Sequence, residues 1–184
     1  MYKELLNVLE PTTFKFVKDS ITSQNIPWYY TDYTARIDLS DNIYNGSYFH
    51  MVMNEDKPIS QLADVCVLTL TTALDRLGIN FTNILRIRIG AISGTEKMFV
   101  HPPHVDTDIK HKVGIFYLDT CNGDTCIYDR HYLGNSDHDY TGANIVDRSS
   151  SIENKFITFP GNVVHSSSTP TDIKRRLAIN YNYI

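Results

Sequence analysis

Arg176-Leu177-Ala178-Ile179-Asn180-Tyr181-Asn182-Tyr183 is the stretch on which the fold turns. Successive side chains of an extended strand point to opposite faces. Leu177, Ile179, Tyr181 and Tyr183 therefore form one face, and Arg176, Ala178, Asn180 and Asn182 the other. The apolar face predicts packing beneath a layer of helices. Alternation alone requires only that the second face be wetter, but an arginine, two asparagines and a small residue on that side predict the wall of a polar cavity.

Working back from this strand, Asn83-Ile84-Leu85-Arg86-Ile87-Arg88-Ile89 alternates in the same way. Residues 113–118, 125–128, 144–146 and 156–159 read as further short strands. Turn signals at Asn122-Gly123, Gly134-Asn135, Pro160-Gly161 and Thr169-Pro170 separate them, and many short strands divided by such turns predict a β-sandwich or barrel. Ahead of Gly78 the texture is helical. From Pro11 to about Asn25, Phe14, Val17 and Ile21 share a face, and Pro27 closes the segment. A strand over residues 47–53 follows. Pro58 then opens a second helix as its first-turn proline, and Gly78 ends it. Leu62, Val65, Leu68, Leu70, Ala73 and Leu77 give that helix a broad apolar face. The expectation is one domain over residues 1–184: a largely helical part, 1–80, packed on the larger sheet of a β-rich core, 81–184.

Bulk properties narrow the function. A chain of 184 residues with 42% hydrophobic and 21% charged residues is long enough for one real core. The formal charge of −4 provides no electrostatic footprint for nucleic acid and no polybasic membrane patch, since Lys174-Arg175-Arg176 is too short a cluster. No apolar run reaches the length of a membrane span, and the first residues do not read as a signal peptide. A cytoplasmic setting is expected. Cys66, Cys121 and Cys126 have neither disulfide-framework nor zinc spacing and are expected to be free thiols.

The chemistry-bearing residues are His104-Val105-Asp106, then His165, then Arg176. A His-x-Asp match alone means little in a chain with 7 histidines; its context carries the weight. On a strand, residues two apart project to one face, so one extended segment can supply two metal ligands. Phe156-Ile157-Thr158-Phe159-Pro160-Gly161 followed by a short strand delivers the second histidine, His165. Two imidazoles and one carboxylate hold non-haem Fe(II) on a single face and leave other positions open. His101, across Pro102-Pro103, is read as a neighbour of the ligands, and His111, His131 and His138 as surface or loop residues. Arg176 presents a planar fork of donors that matches a carboxylate. Arg175 is adjacent, but the alternation places it with the apolar set. Arg86 and Arg88 read either as solvated strand residues or as residues facing a substrate, and residues 129–147 either as an active-site lid or as a surface excursion.

In order and spacing these pieces resemble the Fe(II)- and 2-oxoglutarate-dependent oxygenases, specifically the prolyl 4-hydroxylase-like group. The likeness covers roughly residues 84–183. It rests on His104-Val105-Asp106, Gly114-Ile115-Phe116-Tyr117-Leu118-Asp119, Asn122-Gly123-Asp124-Thr125, Phe159-Pro160-Gly161 with His165, and Arg176-Leu177-Ala178-Ile179-Asn180. The resemblance implies a double-stranded β-helix, or jelly roll, with iron in its mouth and with His104, Asp106 and His165 as metal ligands. It implies that Arg176 holds the distal carboxylate of 2-oxoglutarate, with Tyr117 and Thr125 beside it. Many members have Ser two residues after the arginine, where this chain has Ala178, so a hydrogen bond must come from Tyr117 or Thr125. The implied reaction consumes O2 and 2-oxoglutarate, releases succinate and CO2, and hydroxylates a C–H group, with ascorbate a candidate accessory reductant. Asp106 argues against the halogenating relatives, which leave that position empty. The implied substrate is a peptidyl proline or another peptide or small molecule. Two other readings use the same ligands: a cupin-like enzyme with another metal such as zinc, and a jelly-roll binding module without activity. The first leaves Arg176 without a role, and the second would expect the ligand set to be eroded.

Overall fold

The computed structural model describes residues 2–23, 25–34, 43–134 and 140–184. In chain order the elements are β1 (Lys3–Leu5), α1 (Pro11–Thr22), β2 (Tyr29–Thr31), β3 (Ser47–Asn54), β4 (Lys57–Pro58), α2 (Ala63–Leu77), β5 (Ile84–Ser93), β6 (Lys112–Tyr117), β7 (Cys121–His131), β8 (Ile145–Ser151), β9 (Lys155–Pro160), β10 (Val163–Ser167) and β11 (Arg175–Tyr183). They form two facing sheets. The larger runs β1-β9-β6-β11-β5-β3-β2, with β4 attached to β3, and the smaller runs β10-β7-β8. The chain before the metal motif extends the smaller sheet irregularly, through single bridges from Val100 to Ser168 and from His104 to His165. This is a jelly roll with helices on the outside of its larger sheet.

Strand β11 lies centrally, paired antiparallel with β5 on one side and β6 on the other. Its apolar face carries Leu177, Ile179, Tyr181 and Tyr183 into a core shared with Val17 and Ile21 of α1 and Cys66, Leu70 and Leu74 of α2. The Tyr181 hydroxyl donates to the Cys66 carbonyl at 3.1 Å, which satisfies a polar group that burial would otherwise make costly. A second core, with Val113, Ile115, Tyr117, Ile157 and Phe159, fills the space between the sheets. All three cysteines are buried and free, and burial pushes the Cys66 thiol up to about 12. No helix is long and apolar enough to cross a membrane among the described residues.

Several local expectations are corrected. Pro58 does not open α2. Glu55 and Asp56 both adopt positive φ, 50° and 59°, the conformation of a two-residue hairpin turn, and fold Lys57–Pro58 back onto Met53 and Asn54. The helix starts five residues later, at Ala63, after Ser60 Oγ accepts from the Leu62 N–H. Gly78 does end it, at φ 63°. Leu68 is 57% exposed, because the buried stripe of α2 centres on Cys66, Leu70, Ala73 and Leu74. Asn122-Gly123 lies at a bulge inside β7 rather than in a turn. His111 is buried over Gly161, where a Cβ would stand 2.3 Å from its ring. His131 is exposed at the end of β7, and His138 lies outside the described residues. Within residues 129–147, Tyr140, Ala143 and Ile145 pack on Cys126, Tyr128 and Val164.

Candidate metal centre and its cavity

His104 is not part of a regular strand, yet its side chain and that of Asp106 converge. What positions them is the bridge to β10. The His104 N–H donates to the His165 carbonyl and the His165 N–H to the His104 carbonyl, both at 2.9 Å. The two imidazoles lie side by side, with ring centroids 4.6 Å apart. Each ring is oriented by its own neighbourhood: Nδ1–H of His104 donates to the Pro102 carbonyl at 3.2 Å, and Nδ1–H of His165 to the Val163 carbonyl at 3.0 Å. A carbonyl only accepts, so in the neutral rings the proton sits on Nδ1 and the Nε2 lone pair faces the cluster. His104 Nε2 lies 3.9 Å from Asp106 Oδ1, and His165 Nε2 lies 3.8 Å from Asp106 Oδ2. Ligand atoms of the three residues fall within 4.8 Å of one another.

Asp106 is held from two sides. Arg86 donates through Nη2 to Oδ1 at 3.0 Å, and Asn182 through Nδ2 to Oδ2 at 2.8 Å, while Arg86 Nε donates to Asn182 Oδ1 at 3.0 Å. Arg86 and Asn182 are direct register partners of β5 and β11, so the sheet itself aims this pair. Burial alone would raise the Asp106 carboxyl; His165, Arg86, His104 and the Asn182 bond outweigh it and hold the group well below the usual carboxylate range. Burial and the neighbouring His165 bring His104 down to about 4, so above that its ring is neutral, as a ligand must be.

His101 stays apart from this cluster. Its Nδ1 lies 3.0 Å from the Ser167 carbonyl oxygen and 2.9 Å from Ser167 Oγ, and its Nε2 lies 3.2 Å from the Tyr44 carbonyl oxygen. Burial lowers it to about 4. Both ring nitrogens are thus engaged by Ser167 and Tyr44, away from the cluster.

The cavity beside the triad is floored by the polar face of β11 and the matching face of β5. Register pairs Arg176 with Ile92, Ala178 with Gly90, Asn180 with Arg88 and Asn182 with Arg86. Arg176 is buried, and its Nη2 donates to Thr125 Oγ1 at 2.9 Å. Tyr117 donates to the same oxygen at 2.8 Å, and the Arg176 guanidinium lies 5.4 Å from the Tyr117 ring centre. Thr125 and Arg176 line the cavity, whereas Tyr117 stands behind them. Gly123 makes the arrangement possible, since a Cβ there would approach Arg176 Cδ to 3.1 Å and the Ser168 carbonyl oxygen to 2.9 Å. Arg175 is exposed on the opposite side of the strand.

Three buried atoms around the cavity have no hydrogen-bond partner among the described residues: His165 Nε2, Arg176 Nε and Asn180 Oδ1. Buried polar atoms are normally satisfied. A lone-pair nitrogen suits a divalent metal, and a guanidinium N–H suits an anion. The donor set is hard to borderline, one oxygen and two nitrogen ligands, as a non-haem iron site requires. The residues present therefore fit an iron ion and a carboxylate co-substrate.

Of the residues expected at the site, His104, Asp106, His165, Arg176 and Thr125 line one cavity, and Tyr117 stands behind it. The sequence left Arg86 and Arg88 undecided, and both line the cavity. The roles of Asn180 and Asn182 were legible only as a polar face, because the strands opposite β11 depend on pairings that no local pattern encodes.

No protein-family model and no curated protein matches the sequence. Solved structures do match the fold. An oxidoreductase of the 2OG-Fe(II) oxygenase family from Burkholderia pseudomallei aligns over 99% of this chain and 84% of its own, with a TM-score of 0.65 and 14% identity. A prolyl hydroxylase from Trichoplax adhaerens, in complex with a peptide fragment of the hypoxia inducible factor oxygen degradation domain, aligns over 100% and 83%, with a TM-score of 0.62 and 11% identity. The non-heme alpha ketoglutarate dependent carbocyclase SnoK from nogalamycin biosynthesis aligns over 99% and 78%, with a TM-score of 0.64 and 11% identity. The chain has the fold of the 2-oxoglutarate/Fe(II) oxygenases.

Proposed function

We propose that this protein is an Fe(II)- and 2-oxoglutarate-dependent dioxygenase that hydroxylates an unactivated C–H group, with a prolyl ring the first substrate to test. The observation that carries the reading is the presence in one cavity of two distinct features: a two-histidine, one-carboxylate cluster and a buried arginine with an unpartnered Nε. The prolyl hydroxylase match supports the substrate suggestion, and the carbocyclase match shows that this fold serves other outcomes; fold does not choose among them.

His104, Asp106 and His165 would hold the iron, which when bound supplies the O2-dependent oxidation coupled to decarboxylation of 2-oxoglutarate. The protein supplies position and charge. Arg86 and Asn182 keep Asp106 ionised and aimed, as outer partners of metal ligands generally do. Arg176 binds the distal carboxylate of 2-oxoglutarate. Thr125 Oγ1 accepts from both Arg176 and Tyr117. A hydroxyl has two acceptor lone pairs and one proton, so the Thr125 proton is left to donate, and the cavity is where an acceptor fits. Thr125 thus replaces the hydrogen bond that Ala178 cannot make. Cβ space is open at Gly90, opposite Ala178, which leaves room for the co-substrate between the arginine and the triad.

The test is succinate formation. Protein reconstituted with Fe(II) and 2-oxoglutarate should release succinate slowly in air and faster with the right C–H substrate. Absence of succinate above a metal-free control, with prolyl peptides and broad metabolite pools alike, overturns the reading.

A further inference from the structure

Arg88 is a cation that the proposed reaction leaves unused. It projects from β5 into the cavity, one residue pair from Arg86 along the same face. Its guanidinium lies 4.3 Å from the centre of the Phe49 ring on β3. Among the described residues it has no carboxylate within ion-pair distance and no hydrogen-bond partner. The nearest acid, Asp106, is already engaged by Arg86 and Asn182. Burial and the charge of Arg86 both work against the Arg88 cation, yet an arginine does not deprotonate in proteins. A half-buried cation stacked on an aromatic ring, with its N–H edge unspent among the described residues, is a site prepared for an anion.

A second observation lies directly opposite. Asn180 is the register partner of Arg88 across β5 and β11, and antiparallel partners sit about 4.5–5.5 Å apart at Cα. Asn180 Oδ1 is buried without a donor among the described residues, and Asn180 also lines the cavity. The cavity therefore offers a ligand a fork of donors and, next to it, an acceptor.

The geometry points to a primary substrate that is a small organic acid, its carboxylate held by Arg88 over Phe49 and an adjacent N–H or O–H donor held by Asn180. Free α-amino acids are the simplest molecules with that pattern. This rests on the oxygenase reading and sharpens it: the target is a free acid in preference to a residue inside a peptide, whose carboxylate is an amide. A phosphate fits less well. Arg86 is committed to Asp106, so Arg88 presents the free guanidinium edge at this end of the cavity, and one such edge matches a planar carboxylate. The 2-oxoglutarate anchor is separate. Arg176 faces Ile92, four residues along β5 from Arg88, or about 13 Å at strand rise.

The experiment uses protein loaded with Fe(II) and 2-oxoglutarate without O2. Thermal melting is followed with a panel of free L-amino acids and small carboxylic and hydroxy acids, each paired with its amide. At least one acid should raise Tm and, once air is admitted, speed succinate release, while its amide does neither at tenfold higher concentration. Arg88→Ala should weaken that acid's binding about 30-fold or more, Arg88→Lys should recover part of it, and Asn180→Leu should weaken it by a smaller factor. The 2-oxoglutarate Kd of Arg88→Ala should stay within about twofold of wild type. The proposal is overturned if no acid shifts Tm, if acid and amide act alike, or if Arg88→Ala binds the acid as wild type does. Loss of 2-oxoglutarate binding in Arg88→Ala also overturns it, by assigning Arg88 to the co-substrate. The acid-versus-amide comparison on wild type needs no variant to fold. Because melting is read without O2, it decides the role of Arg88 even if succinate never forms, an outcome that sinks the oxygenase reading instead.

Discussion

His104 and His165 exchange a pair of backbone hydrogen bonds, each 2.9 Å long. The main chain therefore registers the two imidazoles side by side. This has a consequence for mutagenesis. His104→Ala or His165→Ala removes a ligand but leaves both bridge bonds available, so each variant should fold. The expected outcome is one Fe(II) per chain in wild type, near-zero stoichiometry in His104→Ala, Asp106→Ala and His165→Ala, and circular dichroism unchanged in all three. His101→Ala should keep its iron. Iron retained by a triad variant, or lost from His101→Ala, would show that the ligands are assigned wrongly.

Arg86 and Asn182 should tune the metal without touching it. Outer partners of metal ligands typically contribute about 10- to 100-fold in metal affinity. Asn182→Ala and Arg86→Ala should each lower Fe(II) affinity by about that factor in a chelator competition assay. Arg86→Ala should have the larger effect, since it removes both the charge beside Asp106 and the bond to Asn182. Wild-type affinity in both variants would mean that Asp106 holds its orientation without them.

The strand 176–183 announced much of this design because alternation is a local property: Arg176 and the two asparagines had to share a side. Local pattern fails where the answer depends on a partner strand. On their alternating strand Arg86 and Arg88 read equally as solvated residues or as residues facing a substrate, and only β11 and β3 decide it, by supplying Asn182, Asn180 and Phe49 as neighbours. Pro58 resembled a helix start because nothing local distinguishes a first-turn proline from one returning out of a two-residue hairpin. That depended on the left-handed backbone of Glu55 and Asp56, a conformation uncommon outside glycine. His111 carried no sign that it would close over Gly161. The short strands β1 and β2, three residues each, exist through pairing with β9 and β3 and have no pattern of their own.

Arg176 and Arg175 give a sharp comparison, since they are adjacent and point to opposite sides of β11. Arg176→Ala should weaken 2-oxoglutarate binding by about 2–5 kcal/mol, about 30-fold to several-thousand-fold, with iron stoichiometry unchanged. Arg175→Ala should be silent. Calorimetric titration of 2-oxoglutarate into the two iron-loaded variants decides it, and the reverse pattern would move the anchor to Arg175.

Thr125 and Tyr117 should separate a residue that touches the co-substrate from one that supports it. Tyr117 is fully buried, burial raises its phenol above the ordinary value, and its hydroxyl donates to Thr125 behind the cavity wall. Tyr117→Phe removes one donor and leaves the threonine oxygen still accepting from Arg176, a loss of about 1 kcal/mol or less in 2-oxoglutarate binding. Thr125→Val is nearly isosteric but removes the oxygen that joins both donors and the one proton free for a carboxylate. It strands a buried arginine N–H and a buried phenol, each costing about 1–3 kcal/mol if unmet. Part of that cost falls on the unliganded protein, so Thr125→Val should lower Tm and also weaken 2-oxoglutarate binding at least tenfold. In Thr125→Ser the hydroxyl is kept and both properties should recover. If Tyr117→Phe proved the more damaging to 2-oxoglutarate affinity, the tyrosine would be the direct contact and Thr125 a spacer. Equal affinity for Thr125→Val and wild type would remove Thr125 from the carboxylate site altogether.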